Sequence, residues 1–222
     1  MQRNPCHKTD SIGSKYPEKT PIIEAKDFFV LVEVFKTSNK HAMYAYYTTI
    51  FLTGLRPCEA LGLHFEDVNI EQGTVTIARS YQRRKGEDVE YAPKTKASAR
   101  CIALSPSNVE ILADYISSIY KPDKDDRVFP YTKSYVDGQL KWAFRESGLK
   151  RITQGKFRAS HTTFCLEHGF PIHEVSERLG HTRSATTLEF YSRVMKSKQT
   201  ELANSLDSIL EQYKPEDTEC QD

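Results

Sequence analysis

Arg56 follows Thr53-Gly54-Leu55 and precedes Pro57, which sets a guanidinium just after a glycine turn, at the start of a helix. Backbone N–H groups and the helix dipole favour an anion at such a place. Glu59, three residues on, can pair with Arg56 and hold it in position. Taken alone, such a pair is more often an ordinary surface ion pair. A second candidate is Pro93-Lys94-Thr95-Lys96-Ala97-Ser98-Ala99-Arg100, read as a basic hairpin tip. From it Lys94 can reach into a groove as a point charge or proton donor, although basic loops are common. The third segment, Lys156-Phe157-Arg158-Ala159-Ser160-His161, opens another helix. In the fourth a helix ends at Gly180, His181 stands at the turn, and Tyr191 comes ten positions later.

The charge distribution is consistent with a polyanion partner, although the net charge is only +1. Lys150 to Lys198 holds nine basic residues against four acidic ones, whereas the stretch after it carries Lys214 alone against seven acids. A basic segment followed by an acidic tail fits a polyanion-binding surface, and a merely solvated charged face fits equally well. The five cysteines are odd in number and lack CxxC spacing, so a disulfide framework or zinc ribbon is not expected. His161 and Cys165 stand four apart without a third ligand at a suitable spacing, which favours a buried, inert Cys165 and no metal. The longest apolar candidate, Ala42 to Leu55, is too short for a membrane span, and Met1 to Lys19 lacks the apolar run of a secretory signal. These features point to a cytosolic protein.

Positioning those side chains requires a mainly helical scaffold. Phe28, Phe29, Leu31, Val32 and Phe35 form a helical stripe that ends near Ser38. A second, centrally buried helix runs from about His41 to Leu52 and stops at Gly54. Pro57 sits in the first turn of a short helix. Three short strands follow, at Val68–Ile70, Thr74–Ala78 and Arg100–Leu104, with a turn at Glu71-Gln72-Gly73 and a polar, Lys-rich connection before the last. Ser105-Pro106 opens a helix to about Tyr120. Further helices are expected at about Thr132–Ser147, Lys156–His168, Ile172–Leu179, Ser184–Phe190 and Val194–Tyr213. The expected fold class is mainly α with a small antiparallel β-sheet.

The ordered set of segments, with Leu179-Gly180-His181, Thr186-Thr187-Leu188 and Tyr191-Ser192 last, resembles the tyrosine recombinase (phage integrase) family. The likeness is to the catalytic domain of integrases from phages and conjugative elements of Gram-positive bacteria. That resemblance implies site-specific DNA recombination, the integration and excision of a mobile element, through a 3′-phosphotyrosyl intermediate. It makes Arg56 and Arg158 the clamp arginines, Lys94 the general acid, His181 the second histidine-type position and Tyr191 the nucleophile. Lys96, Lys156, Arg183 and Arg193 are then the further basic residues expected on DNA. Two forked guanidiniums would neutralise the non-bridging phosphate oxygens as charge builds in the transition state. A tyrosine with an ordinary pKa of about 10 must lose its proton as it attacks, and the leaving 5′-oxygen needs one. No cofactor is implied. The implied partners are double-stranded DNA, other copies in a tetrameric synapse and accessory DNA-bending proteins. The implied place of action is the bacterial nucleoid.

One position departs from the pattern. The family has histidine three residues before its second arginine, and here that residue is Gly155. His161, three residues beyond Arg158, is not expected to substitute. Three explanations stay open: a tolerated natural variant, an engineered substitution that traps a DNA complex, or a DNA-binding or assembly module with impaired cleavage. The last is the least expected, because the other five positions are intact. A type IB topoisomerase shares the nucleophile, but the Leu-Gly-His…Tyr-Ser spacing is typical of recombinases. The expected organisation is a linker remnant at 1–21, a catalytic domain at 22–198, and a helix with an acidic tail at 199–222. The stripe of Leu202, Leu206, Ile209, Leu210 and Tyr213 suits exchange of that helix between protomers.

Overall fold

The structure is a computed structural model that describes residues 22–92 and 99–180. Lys94, Lys96, His181, Arg183, Tyr191 and Arg193 lie outside the described residues. So do the helices expected at 184–190 and 194–213 and the exchange of residues 199–222.

Helix α1 (Ala25–Thr37) turns Phe28, Leu31, Val32 and Phe35 inward at helical spacing. Helix α2 (His41–Thr53) buries residues on every side because α1, α4 (Pro106–Ser117) and α6 (Lys156–Glu167) all pack around it. Its aromatic residues lock those neighbours: Phe51 stacks on Phe28 at 3.9 Å between ring centroids, and Tyr47 meets Phe157 at 5.5 Å. The Tyr46 hydroxyl donates to Gln154 Oε1 at 2.9 Å, and Gln154 Nε2 donates to Asp137 of helix α5 (Lys133–Ser147) at 2.9 Å. This buried relay fixes the segment that leads into α6.

Helix starts follow the local chemistry. Pro57 and Pro106 occupy first turns, and the Thr132 hydroxyl accepts from the Tyr135 N–H to cap α5. Helix α4 stops at Ser117, short of the expected Tyr120.

Strands β1 (Val68–Asn69), β2 (Thr74–Ile77) and β5 (Arg100–Ala103) form an antiparallel sheet in the order β1-β2-β5. The connection read from sequence as merely polar contains a second sheet, the hairpin of β3 (Ser80–Arg84) and β4 (Glu87–Tyr91). Its charged residues hide it from an apolar-alternation reading. What sets its register is the Lys85-Gly86 turn, with φ of 51° and 87° at the two central residues. The hairpin is held against the body at several points. Glu90 meets His64 Nε2 at 2.9 Å, Arg79 donates to Glu66 at 2.6 Å, and the Arg127 guanidinium lies 3.8 Å from the Tyr81 ring centroid.

Candidate active site

Gly54 ends α2 in the left-handed region, at φ 69°. A Cβ there would lie 2.6 Å from His161 Cδ2 and 2.6 Å from Leu179 Cδ2, so only glycine lets the three segments meet. The turn delivers Arg56 to the N-cap of α3 (Pro57–Leu61) in an extended conformation. Glu59 then accepts twice from Arg56, from its backbone N–H at 2.9 Å and from Nη1 at 2.8 Å. Arg100, the first residue of β5, approaches the same carboxylate from the other side, with Nη2 at 3.0 Å from Oε2 and Nη1 at 3.4 Å from Oε1. Burial opposes ionisation of Glu59, but Arg100 first and Arg56 second hold its carboxyl below the usual carboxylate value.

Arg158 lies in the first turn of α6 and reaches back across the site. Nη1 donates to the Gly54 carbonyl at 2.9 Å and Nη2 to the Leu179 carbonyl at 2.7 Å. The structure thus brings Arg56, Glu59 and Arg158 into one cluster. Burial, then the positive fields of Arg56 and Arg100, lower the Arg158 pKa to about 9, with Glu59 opposing them. A guanidinium with that value is still a cation at neutral pH. Arg56 and Arg100 on the Glu59 carboxylate, with the Arg158 charge close by, leave the cluster net positive. Such a cluster suits a phosphodiester, whose non-bridging oxygens accept from forked donors.

Helix α7 (Ile172–Leu179) ends at Gly180, again left-handed at φ 66°. Arg178 fastens this end to the body by donating to the Ala103 carbonyl at 3.0 Å and the Leu52 carbonyl at 3.2 Å. The chain therefore leaves α7 beside Arg158, one residue before position 181.

Gly155 occupies the N-cap of α6 in the right-handed helical region, φ −63° and ψ −17°. It is exposed, and a Cβ built there meets nothing within 4 Å. With Cys58, Gln82, Lys133, Lys141 and Arg151 it borders a groove of about 920 Å³. Arg56 lines a second cavity of about 460 Å³ between α3 and the hairpin, with Arg79, Gln82 and Arg84. Lys156, at the first position of α6, is partly exposed.

His161 lies under the site and away from it. It is 5% exposed, packs against Gly54, hydrogen-bonds the Phe51 backbone and sits 3.6 Å from Cys165 Sγ. Burial first, then the Arg178 and Arg158 charges, lower its pKa to about 4, so at neutral pH it is an uncharged packing residue. Among the described residues no group of three His, Cys, Asp or Glu is arranged to hold a metal ion. Arg100 and Arg178 were missed by sequence reasoning. Arg100 lies 41 residues from Glu59, and no local spacing announces that contact.

The match that decides the family covers most of the chain: the model of the phage integrase family fits residues 22–198. The chain belongs to the phage integrase family. This integrase-family chain is 27% identical over 229 residues to the ICEBs1 integrase of Bacillus subtilis, covering 95% of the chain and 60% of that protein. It is 23% identical to a tyrosine recombinase XerC-like protein of Caldanaerobacter subterraneus, covering 94% of the chain and 61% of that protein. The chain thus spans about three fifths of the length of these relatives. Its fold is that of a Tn1549 transposon integrase solved in complex with transposon right end DNA. That superposition has a TM-score of 0.69 at 21% identity and covers 85% of the chain and 68% of that structure. The XerA recombinase shares the fold at a TM-score of 0.64 and 20% identity, over 85% of the chain and 66% of that structure.

Proposed function

We propose that this chain cleaves and rejoins DNA at specific sites, in the integration and excision of a mobile element. The observation that carries the reading is the meeting of Arg56 and Arg158 around Glu59 and the Gly54 carbonyl, although Gly54 and Arg158 lie 104 residues apart in sequence. In this reading the two guanidiniums take the non-bridging oxygens of the scissile phosphate and stabilise the charge that grows as Tyr191 attacks. The Tyr191 hydroxyl gives up its proton as its oxygen bonds to phosphorus. Lys94 protonates the departing 5′-oxygen, and His181 contacts the phosphate from the end of α7. The product is a 3′-phosphotyrosyl link with a free 5′-hydroxyl. Attack by a 5′-hydroxyl reverses the step, so rejoining needs no outside energy source.

Lys96, Lys156, Arg183 and Arg193 supply further contacts to the DNA backbone in this reading. Residues 22–198 form the catalytic body and residues 199–222 exchange between protomers in a tetrameric synapse on the bacterial nucleoid, assisted by DNA-bending proteins. Among the described residues no helix is long and apolar enough to cross a membrane.

Nicked suicide duplexes randomised around the nick test the reading with full-length protein. Wild type should form denaturant-resistant protein–DNA adducts whose recovered sequences converge on one site, and Tyr191→Phe should form none. Failure to form any adduct at saturating DNA would reject the enzymatic reading. The second reading is a DNA-binding assembly module with impaired cleavage. It is favoured by the bare, exposed Gly155 at the position where the family carries histidine.

A further inference from the structure

Two backbone carbonyls end α7 beside the arginine cluster, and a different arginine takes each. Arg158 Nη2 donates to the Leu179 carbonyl at 2.7 Å, and Arg100 Nε donates to the Arg178 carbonyl at 2.8 Å. Cations at a helix C-terminus are favoured by its exposed carbonyls and dipole. The rest of the Arg100 fork grips both oxygens of Glu59, which in turn holds Arg56. The Arg100 side chain is only 8% exposed, and that of Glu59 7%. This pair is therefore a buried strut and differs from a surface ion pair, which water would screen. Arg100 is also the first residue of β5, at the end of the connection that contains Lys94.

We propose that Arg100 is a positioning residue of the anion site, setting Arg56 through Glu59 while tying that pair to the C-terminal end of α7. The proposal rests on the reading of Arg56 and Arg158 as a phosphate clamp. A guanidinium is required because three directions must be served at once, by Nε toward the helix end and by two Nη groups toward the carboxylate. Lysine supplies charge but cannot span both. Losing the fork leaves Glu59 to pull on Arg56 alone, and it removes one of the contacts that hold the end of α7, the one to the Arg178 carbonyl.

Inorganic phosphate is a suitable probe, titrated into the full chain at constant ionic strength and followed through the Nε–Hε NMR signals of the arginines. Wild type is expected to show saturable shifts at Arg56 and Arg158. Arg100→Met is expected to weaken phosphate binding about tenfold, and Arg100→Lys to recover little of the loss. Combined with Glu59→Gln, either variant is expected to bind phosphate no more weakly than the worse single variant, because both act through one contact. A purely structural Arg100 would instead give additive losses. Additivity, or unchanged affinity in Arg100→Met, overturns the proposal and leaves the clamp intact. No saturable response in wild type, or one that survives Arg158→Met, overturns the clamp reading and this proposal with it. If Arg100→Met loses its native amide spectrum, the Arg100→Lys cycle decides the question alone.

Discussion

Arg158 Nη2 lies 2.7 Å from the Leu179 carbonyl, so Arg158 also caps the helix that leads to position 181. Its other arm, Nη1, holds the Gly54 carbonyl at the turn that delivers Arg56. One guanidinium thus sets the relative positions of three segments, and its remaining N–H groups are directed by contacts within the protein. Pre-organisation of this kind lets charge stabilisation act without reorganisation during the reaction. The same geometry makes the site sensitive to changes that never touch DNA.

Gly54→Ala is the most direct such change. It forces an L-residue into φ 69° and drives a methyl to 2.6 Å from both His161 and Leu179. The left-handed conformation and overpacking together cost about 2–4 kcal/mol, measured as a lower urea midpoint. Adduct formation should fall further than stability explains, because the Gly54 carbonyl is what Arg158 grips. A variant of wild-type stability and activity would show that the turn has more room than its neighbours allow.

His161 sets an acid limit on stability. Its folded pKa of about 4 lies below the ordinary 6.5, so the unfolded chain binds the proton first as pH falls. The contribution is fully present above about pH 6.5 and is lost progressively down to about pH 4, for a total of about 3 kcal/mol. Denaturant unfolding across that window should show the loss. His161→Gln should be less stable at pH 7 and flatter between pH 6.5 and 4. NMR titration of the ring should give a midpoint near 4; a midpoint near 6.5 would contradict the buried, neutral assignment.

Glu59→Gln removes the charge that two arginines share. Leaving buried Arg100 without its carboxylate costs about 3 kcal/mol at neutral pH. The Glu59 pKa is lowered in the fold, so its contribution is present above the unfolded value near 4.3 and disappears as pH falls through the folded value. The variant should therefore approach wild-type stability only at the acid end, below the His161 window. Equal stability at pH 7 would mean the pair is screened like a surface one.

What sequence could disclose here follows the range of each interaction. Gly54, Pro57, Pro106, Thr132 and Gly180 act within one turn of themselves, and each marks an element boundary that the structure places there. The Arg56–Glu59 pair was equally legible, being three residues apart on one short helix. The β3–β4 hairpin was not, because its strands are mostly polar and exposed apart from Tyr81 and show no apolar alternation, and its one local mark is the Lys85-Gly86 turn. Arg100 and Arg178 were illegible for another reason. Their partners are Glu59 and the carbonyls of Leu52 and Ala103, which only the packing of α2, α7 and the sheet brings near. Family order supplied the roles expected of Lys94, His181 and Tyr191, and those three residues lie outside the described structure.

Gly155→His tests whether the missing group limits cleavage. The position tolerates a side chain: its φ of −63° is ordinary for any residue, and a Cβ there meets no atom within 4 Å. Stability should change by less than about 0.5 kcal/mol, as for an exposed site without special backbone demands. An imidazole three residues before Arg158, at the start of the same helix, would add one hydrogen-bond donor near Arg158. Removing a single well-placed donor from an oxyanion site typically costs about 100-fold or more in rate, so restoring one has a large ceiling. We expect at least a tenfold gain in the single-turnover rate of adduct formation on a nicked duplex, with DNA affinity little changed. That outcome would identify Gly155 as a disabling residue and favour the assembly-module reading for the unaltered chain. An unchanged rate, from a folded variant whose wild type already forms adduct, would mean that Arg56, Arg158 and the groups after Gly180 suffice without it.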